Sequence, residues 1–97
     1  MKLIVLDAAQ AELEEAQAYY LQHATPGIAA AFVADYQHSA HRILQFPKAG
    51  TPVSQRLRAL SMRHFPYSII YRATVDTITV QAVAHQRRQP KYWVGRR

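Results

Sequence analysis

HFPYSIIYRATVDTITVQAVAHQRRQPKYW, residues 64–93, decides the fold. Ser68-Ile69-Ile70-Tyr71-Arg72 is rich in β-branched and aromatic side chains, which suit a pleated, half-buried surface. Thr77 to Ala84 alternates, with Ile78, Val80, Ala82 and Ala84 on one face and Thr77, Thr79, Gln81 and Val83 on the other. A period of two predicts a strand. Thr74-Val75-Asp76 is too short a connection for anything but a hairpin. His64-Phe65-Pro66 turns the chain into this hairpin, and the cationic run Arg87-Arg88-Gln89-Pro90-Lys91 leaves it. Segments that leave a rigid sheet often display working residues.

Outward from the hairpin the pattern turns helical. Lys2 to Leu6 is a short apolar run, read as a buried first strand. Asp7 stands where a helix N-cap is expected, with Glu12, Glu14 and Glu15 in the turns that follow, near the positive end of the dipole. Leu13, Ala16 and Tyr20 share one face, and this helix is expected to end near His23. Thr25-Pro26 predicts the next start, with Thr as N-cap and Pro at the first helical position. Ile28, Phe32, Tyr36, Ala40 and Ile43 recur at helical spacing to about Phe46, so two antiparallel helices are expected. The alanines Ala29 to Ala31 permit close approach to a neighbour. Pro47, Gly50 and Pro52 break the chain, and Arg56 to Arg63 reads as a strand with Arg58, Leu60 and Met62 on one face. The expected fold is α+β, in the order β-α-α-β-β-β. A helical hairpin packs on a small antiparallel sheet, with a basic C-terminal tail, as a single domain over residues 1–97.

Composition bounds the function. A chain that is 49% hydrophobic suits a packed domain rather than a disordered one. The absence of cysteine excludes disulfides and thiolate metal sites. Leu3 to Leu6 is too short for a signal-peptide core or a membrane span, so a soluble cytoplasmic protein is expected. Charge is divided unevenly. Residues 1–41 set one lysine against five acids, a balance of −4, and residues 42–97 set eleven Lys and Arg against Asp76, a balance of +10. An asymmetry of this size fits an acidic or polyanionic partner for the second half, or a solvated basic surface.

Side chains with chemistry are few. His38 and His41 are spaced to touch one metal ion from a helix, but no third ligand is evident. His85 has the intrinsic pKa for proton transfer, and it also suits a structural role closing the sheet. Arg87, Arg88 and Lys91 interleave with Tyr92 and Trp93, a composition that fits nucleic acid, an acidic peptide or a packed lid. Trp93 reads as an anchor in an apolar groove. No phosphate loop, nucleophile elbow or carboxylate pair is present, and no cofactor is implied.

The order of elements and several stretches resemble the RelE/ParE toxin superfamily of type II toxin–antitoxin systems. The stretches are Ile43-Leu44-Gln45-Phe46-Pro47, Leu57-Arg58, Phe65-Pro66-Tyr67-Ser68-Ile69-Ile70-Tyr71-Arg72 and Ala84-His85-Gln86-Arg87-Arg88-Gln89-Pro90-Lys91-Tyr92-Trp93. The resemblance implies a bacterial toxin silenced by a cognate acidic antitoxin. RelE-like members cleave messenger RNA on the ribosome without a metal, and ParE-like members poison DNA gyrase. Cleavage by 2′-OH attack needs cations around the phosphate plus an acid or base, and Arg63, His85 and Arg87 are the candidates here. The chain departs from the nuclease pattern. Ser68 stands where those enzymes carry an arginine, and Ala59 and Ser61 stand where they carry lysines. The ParE-like reading therefore leads, with the ribosome-dependent nuclease and a non-toxic antitoxin-binding module as alternatives. By the same resemblance, the target-binding candidates are Arg58, Arg63, His85, Arg87, Arg88, Lys91, Tyr92 and Trp93.

Overall fold

The structure, a computed structural model, describes residues 1–88 and 91–96. Among these, the elements run β1 (Lys2–Val5), α1 (Asp7–His23), α2 (Pro26–Gln45), β2 (Thr51–Pro52), β3 (Arg58–Ser61), β4 (Tyr67–Ala73) and β5 (Thr77–His85). The strands form a sheet of order β1-β5-β4-β3-β2. The expected α+β order with a helical hairpin on a sheet is present. The sheet is mixed rather than wholly antiparallel, because α1 and α2 carry the chain from β1 to β2 at the far edge, and β5 comes back to pair parallel with β1.

Local chemistry sets the helix ends. α1 carries the strong helix formers Ala8, Ala9, Ala11, Ala16 and Ala18. It stops at His23, just before Thr25, whose backbone the following proline biases away from helical geometry. Thr25 Oγ1 accepts the Ile28 N–H at 3.1 Å and caps α2, whose first residue is Pro26. At the other start the expectation shifts by one. Leu6 occupies the N-cap position without a side-chain bond, and Asp7 is the first helical residue, where its charge still meets the dipole.

Phe32 and Ile43 of α2 pack on Ile69, Tyr71, Ile78 and Val80 of the sheet, all essentially solvent-free. Burial of each such side chain contributes about 1.5–3 kcal/mol. Tyr20, Phe32, Phe65 and Tyr67 add an edge-on aromatic group, with Phe32 and Tyr67 centroids 5.1 Å apart. β1 is not buried as its apolar run suggests. It is the outer strand, paired on one side only, and Leu3 and Ile4 stay exposed.

The alternation in β5 holds only as far as Val80. Tyr71 pairs with Val80 and Ile70 with Ala82, so Gln81 is an extra residue in the ladder. This bulge reverses the faces. Ile78, Val80 and Val83 point to the helices, while Ala82 and Ala84 point to the opposite side with Ile70, Leu57 and Trp93. The sheet is thus buried on both sides, by helices on one and by the tail on the other. The strand expected over Arg56 to Arg63 is confined to Arg58–Ser61, and the two-residue β2 extends the sheet beyond it.

Candidate functional site

β5 ends in a tight turn. Gln86 N–H donates to Pro66 O at 2.8 Å, and Arg88 N–H donates to His85 O at 3.0 Å. Arg87 N–H donates to His85 Nδ1 at 3.0 Å, which puts the proton of a neutral ring on Nε2. The His85 ring stands edge-on to Tyr67, centroids 5.0 Å apart. Glu15, Tyr19, Tyr67, His85 and Arg88 line a shallow cleft of about 190 Å³ between α1 and this turn. Burial first, then the neighbouring phenols Tyr20 and Tyr19, push Tyr67 up to about 12, so it is a neutral donor at ordinary pH.

Beyond the turn the chain folds back over the sheet. Lys91 takes a left-handed backbone (φ 65°), and this reversal precedes Tyr92 and Trp93. Trp93 is buried on Leu57, Ile70, Ala82 and Ala84, so its indole packs on the chain's own sheet. Tyr92 lies beneath two guanidinium groups, with Arg88 Cζ 4.2 Å and Arg96 Cζ 5.1 Å from its ring centroid.

Glu12 ties these pieces together. Its carboxylate accepts the Tyr92 hydroxyl, the Val83 N–H at 3.1 Å and Arg96 Nη1 at 2.8 Å, and lies 3.7 Å from Arg88 Nη1. Burial first, then the bond to Glu12 and its charge, push Tyr92 up to about 12 against the opposing pull of Arg88 and Arg96. Sequence reasoning read Glu12 as a helix-dipole residue, and its spacing carries no signal for this second role.

The candidate residues fall in separate places. His85, Arg87, Arg88, Lys91 and Tyr92 gather at the tail turn, with Arg87, Arg88 and Lys91 exposed. Arg63 is exposed in the β3–β4 connection, beside His38 and His64. There the buried Asp35 accepts the Arg63 N–H at 3.3 Å and the His64 N–H at 2.8 Å, which holds the connection against α2. Arg58 lies at the opposite end of β3, and its Nη1 donates to Gly50 O at 2.8 Å, a bond internal to the fold. His38 and His41 are exposed on α2, and among the described residues no group of three or more His, Cys, Asp or Glu gathers to hold a metal ion. The Gln89-Pro90 part of the cationic run lies outside the described residues.

The positions that depart from the nuclease pattern come together in space. Ser61 pairs with Ser68, and Ser68 with Ala84, in one row across three strands. Ala59, Ile70 and Ala82 form the next row on the same face. Small and apolar side chains therefore occupy the rows on which a cationic cluster would stand.

Residues 3–90 match the family described as the ParE toxin of type II toxin–antitoxin systems, parDE. The fold is similar to a solved structure titled as the chromosomal ParDE system from P. aeruginosa, with a TM-score of 0.78 and 22% identity. That match covers 88% of this chain and 95% of the other. No curated protein matches the sequence. Among the described residues no helix is long and apolar enough to cross a membrane.

Proposed function

This chain belongs to the ParE toxin family of type II toxin–antitoxin systems, and from that premise we propose that it inhibits DNA gyrase and is neutralised by a cognate acidic antitoxin. The observation that carries the choice of target is the pair of rows Ser61–Ser68–Ala84 and Ala59–Ile70–Ala82. A phosphoryl-transfer site needs preorganised cations where charge develops. These rows offer two hydroxyls and no cation, and the neighbouring Trp93 fills the same face with an apolar ring. Binding to a large protein target requires no such cluster. The exposed Arg63, Arg87, Arg88 and Lys91 are the residues we assign to that contact.

Purified chain added to gyrase and relaxed plasmid tests the assignment. We expect loss of supercoiling with accumulation of cleaved plasmid, relieved by the antitoxin. Unimpaired gyrase, together with cut messenger RNA in a translating extract, would instead establish the nuclease reading through Arg63, His85 and Arg87. Harmless expression without antitoxin would leave the binding module. The double variant R87A/R88A refines the test. Arg87 makes no side-chain bond among the described residues, and Arg88 has a 57% exposed side chain, so the fold should lose no more than about 1 kcal/mol. Toxicity should fall while thermal unfolding stays near that of the parent chain.

A further inference from the structure

A second basic feature lies away from the tail turn. The connection from Pro47 to Leu57 and the end of β4 enclose a groove of about 720 Å³, walled by Lys48, Arg56, Arg58 and Arg72. It continues past Arg56 and Arg72 into a second hollow of about 440 Å³, which ends at Arg96. No carboxylate lines either hollow among the described residues. Arg58 is fixed there by its bond to Gly50 O, so one wall of positive charge is preorganised. Arg72 Nε is enclosed and has no hydrogen-bond partner, an unmet donor on a charged group in the shared wall.

We propose that this groove binds the phosphodiester backbone of a nucleic acid. Four cations without a counter-charge along one channel suit a run of phosphates better than a single carboxylate. The rest of the lining divides between polar Ser54, Gln55 and Thr74 and apolar Pro47, Pro52, Ala73 and the buried Leu57, none of them a large exposed apolar side chain. An amphipathic peptide would need apolar anchors, and the exposed large apolar side chains Tyr19, Leu21, Ile28 and Phe46 are not in the lining. Planar guanidinium groups bind phosphate oxygens in pairs without reading base identity, so binding should be sequence-independent. The site does not depend on which target the toxin poisons.

Fluorescence anisotropy of a labelled thymidine 12-mer with the full-length chain, over a series of salt concentrations, tests the groove. The variants are R56Q/R72Q and the single R56E, whose exposed side chain can be changed without disturbing the core. R87A/R88A serves as the control. We expect both groove variants to bind at least about tenfold more weakly at low salt. The slope of log affinity on log salt should fall by about 1.4 in R56Q/R72Q, as two single-strand phosphate contacts predict. The control should retain most of the affinity. Unchanged binding in R56E would overturn the proposal, as would a loss confined to R87A/R88A. So would a polyglutamate peptide that binds more tightly than the oligonucleotide with the same groove dependence, which would assign the groove to an acidic protein.

Discussion

Glu12 Oε1 and Arg96 Nη1 meet at 2.8 Å, from positions 84 residues apart, along the stretch of β5 edge that β1 leaves open. β1 pairs with Thr77 to Val80 and no further. Past it, Glu12 accepts the Val83 N–H and Arg96 donates to Gln81 O at 3.1 Å, so the two side chains take over where the neighbouring strand stops. Glu12→Ala leaves the Val83 N–H and the Tyr92 hydroxyl unmet and Arg96 without its carboxylate, at a site where Glu12 is 9% exposed. The expected loss is about 2–3 kcal/mol. Arg96→Ala leaves Glu12 bonded to Val83 and Tyr92, so about 1 kcal/mol is expected. Urea unfolding of both variants checks the order, and a larger loss in Arg96→Ala would refute this account of the edge.

Tyr92 carries a pH signature of the same cluster. Its folded pKa lies at about 12 against an ordinary 10, because burial and Glu12 disfavour the phenolate. A phenol with a raised folded pKa gives stability that is complete below pH 10 and is lost as pH rises from 10 through 12. Tyr67 behaves likewise, and burial raises Tyr36 as well. Absorbance titration of native Tyr92→Phe should therefore lack one tyrosine from the late part of the curve. If the missing amplitude falls near pH 10 instead, the bond to Glu12 does not hold in solution.

Gly50 and Tyr71 make a second close fit. The Tyr71 hydroxyl accepts the Gly50 N–H at 2.8 Å and donates to Pro47 O at 2.7 Å, which ties the breaker segment to the core. A Cβ on Gly50 would stand 2.8 Å from both Cε1 and the hydroxyl oxygen of Tyr71. That ring is fully buried and has no room to retreat. Gly50→Ala should cost about 1–3 kcal/mol by overpacking. Tyr71→Phe should cost about 1–3 kcal/mol by leaving two polar groups unmet. The hydroxyl is common to both, so the double variant should lose less than the two single losses combined. Strict additivity in denaturant unfolding would count against the contact.

Much of this fold is written in local chemistry. Thr25-Pro26 specifies a cap, Ser68–Arg72 a strand, and Thr74–Asp76 a turn, each through interactions within a few residues. What stayed hidden is set by partners distant in sequence. Gln81 looks like any polar residue on an alternating strand, yet as a bulge it exchanges the faces of everything after it. Lys2 to Leu6 is apolar enough for a central strand, and only the sheet order shows it at an edge. The candidate site divides in the same way. The cations Arg87, Arg88 and Lys91 were legible as a run. The gathering of Arg88, Tyr92 and Arg96 about Glu12, and the groove at Arg56 and Arg72, arise from tertiary contact.

Charge and apolar surface should separate in the kinetics of the proposed antitoxin complex. Residues 42–97 hold eleven Lys and Arg against Asp76, so an acidic partner is steered toward this half over long range. Such steering acts on encounter and is screened by salt. Residence depends instead on close contacts, for which the exposed Leu3, Ile4, Tyr19, Leu21, Ile28 and Phe46 offer apolar anchors. Stopped-flow mixing with the cognate antitoxin, at low and at physiological salt, should show association slowing strongly while dissociation changes little. The variant R87A/R88A should bind more slowly at low salt and converge on the parent chain as salt rises. Phe46→Ala should do the reverse, with faster dissociation and an association rate close to that of the parent. An association rate indifferent to salt would remove the role given to the basic half and leave apolar contact as the whole basis of recognition.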